Sequence, residues 1–408
     1  MTYYLHILIV AAVAIFYSGL PNFVNWPYHG IIEPKHWLIG FGLLSLPLLL
    51  KQAMKSDILR SPLIVWCFGY AWMSMVWFLI SSQNDLAWQE MRYRAVTIIT
   101  LLMLLGLFAN ADAHRLARQA LVPGVLFGVA LNIYELFEPG FFSNTLGRSA
   151  GLYMNPNTAG EALVLGMILA ITGLSSQYRA PFILLTGIGV FLTYSRGAIL
   201  AWLFAVAGFL LVGKLRVKDL LLSLLISLFL VVLVVLPRLD VFLTKLERDG
   251  AMNKNVLERI EWIMDPFGVS DFSSWERKLI AQRAWNKTAD HPFLGNGIGS
   301  VLETLHGTHN QYLSFMQDHG LIGVVILPLL IVAVTWGVRG ENKREAVVFG
   351  GTVLLFGFFS HNIMSEPHVL LLLSLVAAMT LASRESQVEV KRAMTTAEIG
   401  TQKAVARM

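Results

Sequence analysis

The sequence predicts an all-α polytopic membrane protein. Three observations carry that prediction. The chain of 408 residues is 56% hydrophobic and only 14% charged, whereas a soluble domain holds about 45–50% apolar and about 25% charged residues. Mean hydropathy is +0.62. The apolar residues gather into runs rich in Leu, Ala and Gly, without the alternation that a membrane β-strand requires.

A helix needs about 20 apolar residues to cross the hydrocarbon layer. By that measure about 12 transmembrane helices are expected, at 3–20, 37–50, 62–80, 95–109, 119–138, 159–175, 180–194, 197–213, 219–236, 319–338, 345–363 and 367–383. The chain then divides into nine spans over 1–236, one large outer loop over 237–318, three spans over 319–383 and a polar tail over 384–408. No Lys or Arg precedes the first run and no small-x-small pattern ends it, so it reads as a span rather than a cleaved signal peptide.

Charge sets the orientation. With the N-terminus in the cytoplasm, seventeen Lys and Arg residues fall in cytoplasmic loops and the tail, against five in the short loops opposite. The positive-inside rule selects that arrangement. Both termini are then cytoplasmic and the 237–318 loop faces outward, into the periplasm if the cell is Gram-negative and the membrane its inner one. The net charge of +5 is spread through loops, which argues against nucleic acid as a partner and for membrane lipids. The single cysteine, Cys67, lies in an apolar run and gives no redox signal.

Two short amphipathic helices are expected in the outer loop. In 254–264, Val256, Ile260 and Ile263 recur at helical spacing. In 274–289, Arg283 and Lys287 share a face as a like-charge pair, which weakens a helix slightly. An anion between them would offset that cost; two solvated cations are the plainer reading.

The loop ends in His291-Pro-Phe-Leu-Gly295-Asn-Gly297-Ile-Gly299-Ser300 and then Thr308-His309-Asn310-Gln311. The glycines lack the spacing and the leading strand of a dinucleotide fingerprint, and read as tight turns that let backbone approach a neighbour closely. Thr308 with Gln311 has the form of a capping box, which places His309 in the first turn of a helix. The positive end of a helix disfavours imidazolium, so a neutral His309 could accept a proton. A polar residue at a membrane interface is the alternative. His291, His306 and His309 lack the Cys and carboxylate partners of a zinc site. Glu247 and Asp249 have an E-x-D spacing used by some metal-dependent transferases, but sit in a charge-mixed loop. No metal and no cofactor are expected.

Arg196 occupies a very short turn between two spans, and Arg148 precedes another outer loop entering a span. A charge held at membrane depth is a functional candidate. With Arg259 and Arg283, four guanidiniums could converge on the outer face, and arginine suits bidentate phosphate binding.

The pattern Ser195-Arg196-Gly197, then Arg283-x-Trp285, His291-Pro-x-x-Gly295-x-Gly297-x-Gly299 and His309-Asn310-x-Tyr312-Leu313 resembles the O-antigen ligase and polymerase superfamily of lipopolysaccharide biosynthesis, and within it most closely O-antigen ligase. The resemblance implies a metal-independent glycosyltransferase of GT-C-like architecture. Its donor would be O-antigen on undecaprenyl diphosphate, and its acceptor a sugar hydroxyl of lipid A–core. It also implies that His309 is the essential histidine, that Arg196 is the arginine after the seventh span, and that Arg283 or Arg259 is the loop arginine. Arg148, Lys287, His291 and Asn310 are candidates to bind the diphosphate or glycan. A polymerase, with a second lipid-linked glycan as acceptor, is the first alternative. A transporter of lipid-linked glycan is the second, and the lack of an internal repeat speaks against it.

Overall fold

The computed structural model describes residues 2–25, 32–53, 56–234, 248, 250, 253–265, 272–303 and 307–381. No strand occurs among them. The chain opens with α1 (Thr2–Ala12), which continues through one π turn to Tyr17, and α2 (Leu20–Asn25). Then come α3 (Pro34–Ala53), α4 (Ser56–Leu59), α5 (Pro62–Ile80), α6 (Asp85–Phe108) and α7 (Ala111–Phe137). After an ordered outer loop follow α8 (Pro156–Ala170), α9 (Ser176–Leu192), α10 (Arg196–Leu211) and α11 (Val217–Val234). The large loop contributes α12 (Lys254–Met264) and α13 (Phe272–Asp290). The chain closes with α14 (Gln311–His319), α15 (Ile326–Thr335), α16 (Glu341–Phe356) and α17 (Pro367–Leu381).

Among the described residues, the apolar runs lie mainly on helix. By length and composition, four helical stretches among the described residues can cross a membrane: Pro62–Ile80, Asp85–Phe108, Ala111–Phe137 and Gln311–Thr335. Tyr3–Tyr17, Arg196–Leu211 and Pro367–Leu381 are apolar but shorter. The outward faces of α3, α5 and α11 expose large hydrophobics, among them Leu43, Phe68, Trp72, Leu79, Leu225 and Phe229. Water would not tolerate so broad an apolar surface, whereas lipid does. The inward faces form one core in which α7 packs on α8 and α9, α10 on α8 and α16, and α15 on α5 and α16. Close contact at the centre depends on missing side chains: a Cβ at Gly160 would meet that of Ala198, and one at Gly197 would meet Phe359.

Three boundaries differ from expectation. The run at 95–109 belongs to a helix that starts at Asp85, because Asn84 caps it by accepting from the Ala87 amide. Arg94, expected in a loop, therefore lies inside α6, where it pairs with Asp318 at 2.8 Å and Glu90 at 3.0 Å. Arg118, also expected in a loop, is inside α7 and pairs with Glu345. The run at 319–338 is not one regular helix: Gly320 takes a φ of +73° and a 3-10 segment over Gly320–Val325 separates α14 from α15. Most of 237–252, including Glu247 and Asp249, the tail over 384–408 and His306 lie outside the described residues.

Candidate active site

The outer loop between α7 and α8 is built around one carboxylate. Glu135, near the end of α7, is buried and accepts from the backbone amides of Phe142, Ser143, Ala150 and Gly151 at 2.6–3.0 Å. Four amides turned onto one carboxylate fix the loop more firmly than apolar contact would. Ser149 adds bonds from its amide to Leu192 O and from its hydroxyl to Asn132 O. Arg148 is thereby held against the α9–α10 turn, donating to Thr193 O at 2.9 Å and to Asn157 Oδ1 at 3.0 Å.

That turn is tight. Tyr194 sits at a φ of +49°, in the left-handed region that a bulky residue seldom occupies. Its carbonyl accepts from Arg259 Nη1 at 3.0 Å, which ties α12 to the turn. Arg196 begins α10 and places its guanidinium 5.1 Å from the ring centroid of Trp262 on α12. Arg259 and Trp262 share one face of α12 at i and i+3, so this one helix face serves two arginines.

The charges act on one another. Burial first, and then repulsion from Arg259, Arg277 and Arg196, lower the pKa of Arg148 to about 9. All the charged groups that shift Arg148 are arginines. A positive field of this kind, partly shielded from water, draws an anion.

Beside the cluster lies a cavity of roughly 100 Å³. Arg196, Arg277, His309, His361 and Glu161 line it, with Asn155, Asn157 and Asn362. His309 stacks edge-to-face on His361, with ring centroids 5.4 Å apart.

The Thr308 cap is a correction. The N-cap of α14 is Asn310, whose side chain accepts from the Leu313 amide at 3.0 Å. The Thr308 hydroxyl turns instead to Asn310 O and to Ser314 Oγ. His309 therefore precedes the helix, at a φ of +50°, rather than occupying its first turn. The left-handed backbone lets Asn310 cap while the imidazole projects into the cavity. Asn310 itself is committed to the cap.

The structure brings Arg148, Arg196 and Arg259 close enough to act on one another. Arg283 does not join them: it is exposed on α13, and Arg277 takes the fourth position. The physical reason is helical phase. Ala284 and Thr288 form the buried face of α13. Arg277 is two turns before Ala284 and shares that face, whereas Arg283 is one residue, about 100°, away. Lys287 pairs with Glu303 at 3.5 Å, and that carboxylate offsets its repulsion with Arg283. His291 is exposed in the turn after α13. The nearby glycines do allow close backbone approach: Gly295, at a φ of +69°, abuts the 318–320 backbone, and Gly299, at +86°, abuts Leu86 and Ala87.

Among the described residues, no group of three or more His, Cys, Asp or Glu side chains could hold a metal ion. Glu161 and His361 carry no local sequence signal. Helical phase could have found Arg277.

Residues 181–328 match the family model described as O-antigen ligase. No curated protein is significantly similar to the chain. The matched stretch contains Arg196, Arg259, Arg277 and His309, while Arg148, Glu161 and His361 lie outside it. This stretch, which carries most of the arginine cluster and the cavity histidine, is what the chain has in common with that family.

Proposed function

We propose that the protein is a membrane glycosyltransferase that moves O-antigen from undecaprenyl diphosphate to a sugar hydroxyl of lipid A–core. The observation that carries this reading is the gathering of four arginines beside a cavity that also holds His309. A polyprenyl diphosphate leaves readily once its charge is neutralised, and the arginines provide that neutralisation. The acceptor oxygen attacks the anomeric carbon, and the bond from that carbon to the diphosphate oxygen breaks. The electron pair leaves with the diphosphate, while the hydroxyl proton passes to His309. A single displacement of this kind inverts the anomeric configuration.

In this reading the chain has about twelve spans in a GT-C-like arrangement. It sits in the bacterial inner membrane with both termini cytoplasmic and the cavity open toward the periplasm. The matched domain is equally compatible with a polymerase, which uses the same donor and a second lipid-linked glycan as acceptor. Purified protein given lipid-linked glycan, with and without lipid A–core, separates the readings. Glycan appearing on lipid A–core supports the ligase. Longer lipid-linked chains would replace it by a polymerase, and no glycan transfer of either kind would refute both.

A further inference from the structure

The floor of the cavity carries a second polar cluster. Glu161, on the second turn of α8, is 3% exposed and lines the cavity. Behind it stands His368 at the start of α17, 1% exposed. His368 Nε2 faces Glu161 Oε1 at 3.5 Å, and His368 Nδ1 faces Glu366 Oε2 at 3.8 Å. Glu366 is fixed in turn by the Asn362 side-chain amide, and Tyr153 packs edge-on against the His368 ring.

Burying two carboxyl groups and an imidazole in a membrane protein is costly unless their hydrogen bonds are made. Here they are incomplete. Neither Glu161 Oε1 nor His368 Nε2 has a hydrogen-bond partner among the described residues. Glu161 Oε1 turns toward His368, while the residue as a whole lines the cavity; a carboxylate there is an acceptor, and a sugar hydroxyl is a donor it can take. An anion would avoid it. The cavity thus has two chemistries: a cationic side at Arg196 and Arg277, and a hydroxyl-accepting floor at Glu161.

We propose that Glu161 binds a hydroxyl of the sugar ring attached to the diphosphate, with His368 and Glu366 as positioning residues behind it. This inference rests on the transferase reading, since it takes the diphosphate to lie on the arginines. Glu161 then discriminates donors by their first sugar, while the arginines hold the part common to all of them.

The test measures binding of two probes to full-length purified protein. One is undecaprenyl diphosphate; the other is the same lipid carrying one N-acetylhexosamine. The wild type should bind the glycosylated lipid more tightly. Glu161→Ala should lose about tenfold or more in affinity for it, the effect of removing a hydrogen bond to a charged group. Glu161→Gln should lose less. Both variants should bind undecaprenyl diphosphate at least as tightly as the wild type, which also shows that they fold. Equal binding of the two lipids by the wild type would overturn the inference. So would variants that discriminate like the wild type, or a Gln variant that loses both lipids in parallel. A wild-type protein that binds neither lipid would overturn the transferase reading and this inference with it.

Discussion

Replacing Arg277 by Ala tests the site where structure and sequence pattern disagree. The motif reading offers Arg283 or Arg259; the geometry adds Arg277 in place of Arg283, since Arg277 lines the cavity and presses electrostatically on Arg148. A hydrogen bond from a guanidinium to a charged group contributes about 1.5–3 kcal/mol. Removing it should weaken undecaprenyl diphosphate binding by about ten- to hundredfold. The substitution also removes one of the like charges that repel Arg148. Arg283 is exposed, so Arg283→Ala should stay within about 0.5 kcal/mol, or roughly twofold in affinity. Titration calorimetry in detergent gives both affinities, and the unfolding midpoint of each ligand-free variant checks the fold. If Arg283→Ala weakens binding as much as Arg277→Ala, or if Arg277→Ala binds normally, the proposed arginine site is wrong.

Two further outcomes follow from buried charge. Arg94→Ala leaves Asp318 and Glu90 without their cation and should cost about 3–5 kcal/mol, read as a lower unfolding midpoint. Replacing Arg94 and Asp318 together by apolar residues should cost less than Arg94→Ala alone. Glu366 gives a pH dependence. Burial, more than repulsion from Glu161, raises its pKa from an ordinary 4.5 to about 7. Native Glu366 thus keeps a proton that the unfolded chain gives up between those values. Its contribution is complete below pH 4.5 and is lost as pH rises through about 7, at a cost of about 3 kcal/mol. Glu366→Gln should flatten that part of the stability profile; a profile unchanged in shape would show that Glu366 does not titrate there.

Much of the helical layout is legible in the sequence because apolar run length is a direct consequence of the lipid layer. The same rule misplaces helix ends where a polar face turns inward. Asp85–Arg94 looks like loop by hydropathy, yet Arg94 has its partner, Asp318, on α14. The site is legible in part. Arg148, Arg196 and Arg259 stand out as cations beside spans. His309 stands out through its motif, although the residue that caps the helix is Asn310. Arg277 is hidden because a residue motif ignores helical phase. His361, Glu161 and His368 are hidden for a different reason. Each is an isolated polar residue in its own stretch, and only the packing of α8, α10 and α16 brings two of them to one cavity with His309, with His368 placed behind.

The most direct measurement is glycan transfer to lipid A–core by purified His309→Asn protein. Asn tolerates the left-handed backbone at this position, so the substitution removes the imidazole without forcing the loop. Donor binding should be retained, and the transfer rate should fall by about a hundredfold or more, the contribution expected of a general base. Transfer at the wild-type rate would contradict the role of His309 and, with it, the proposed mechanism.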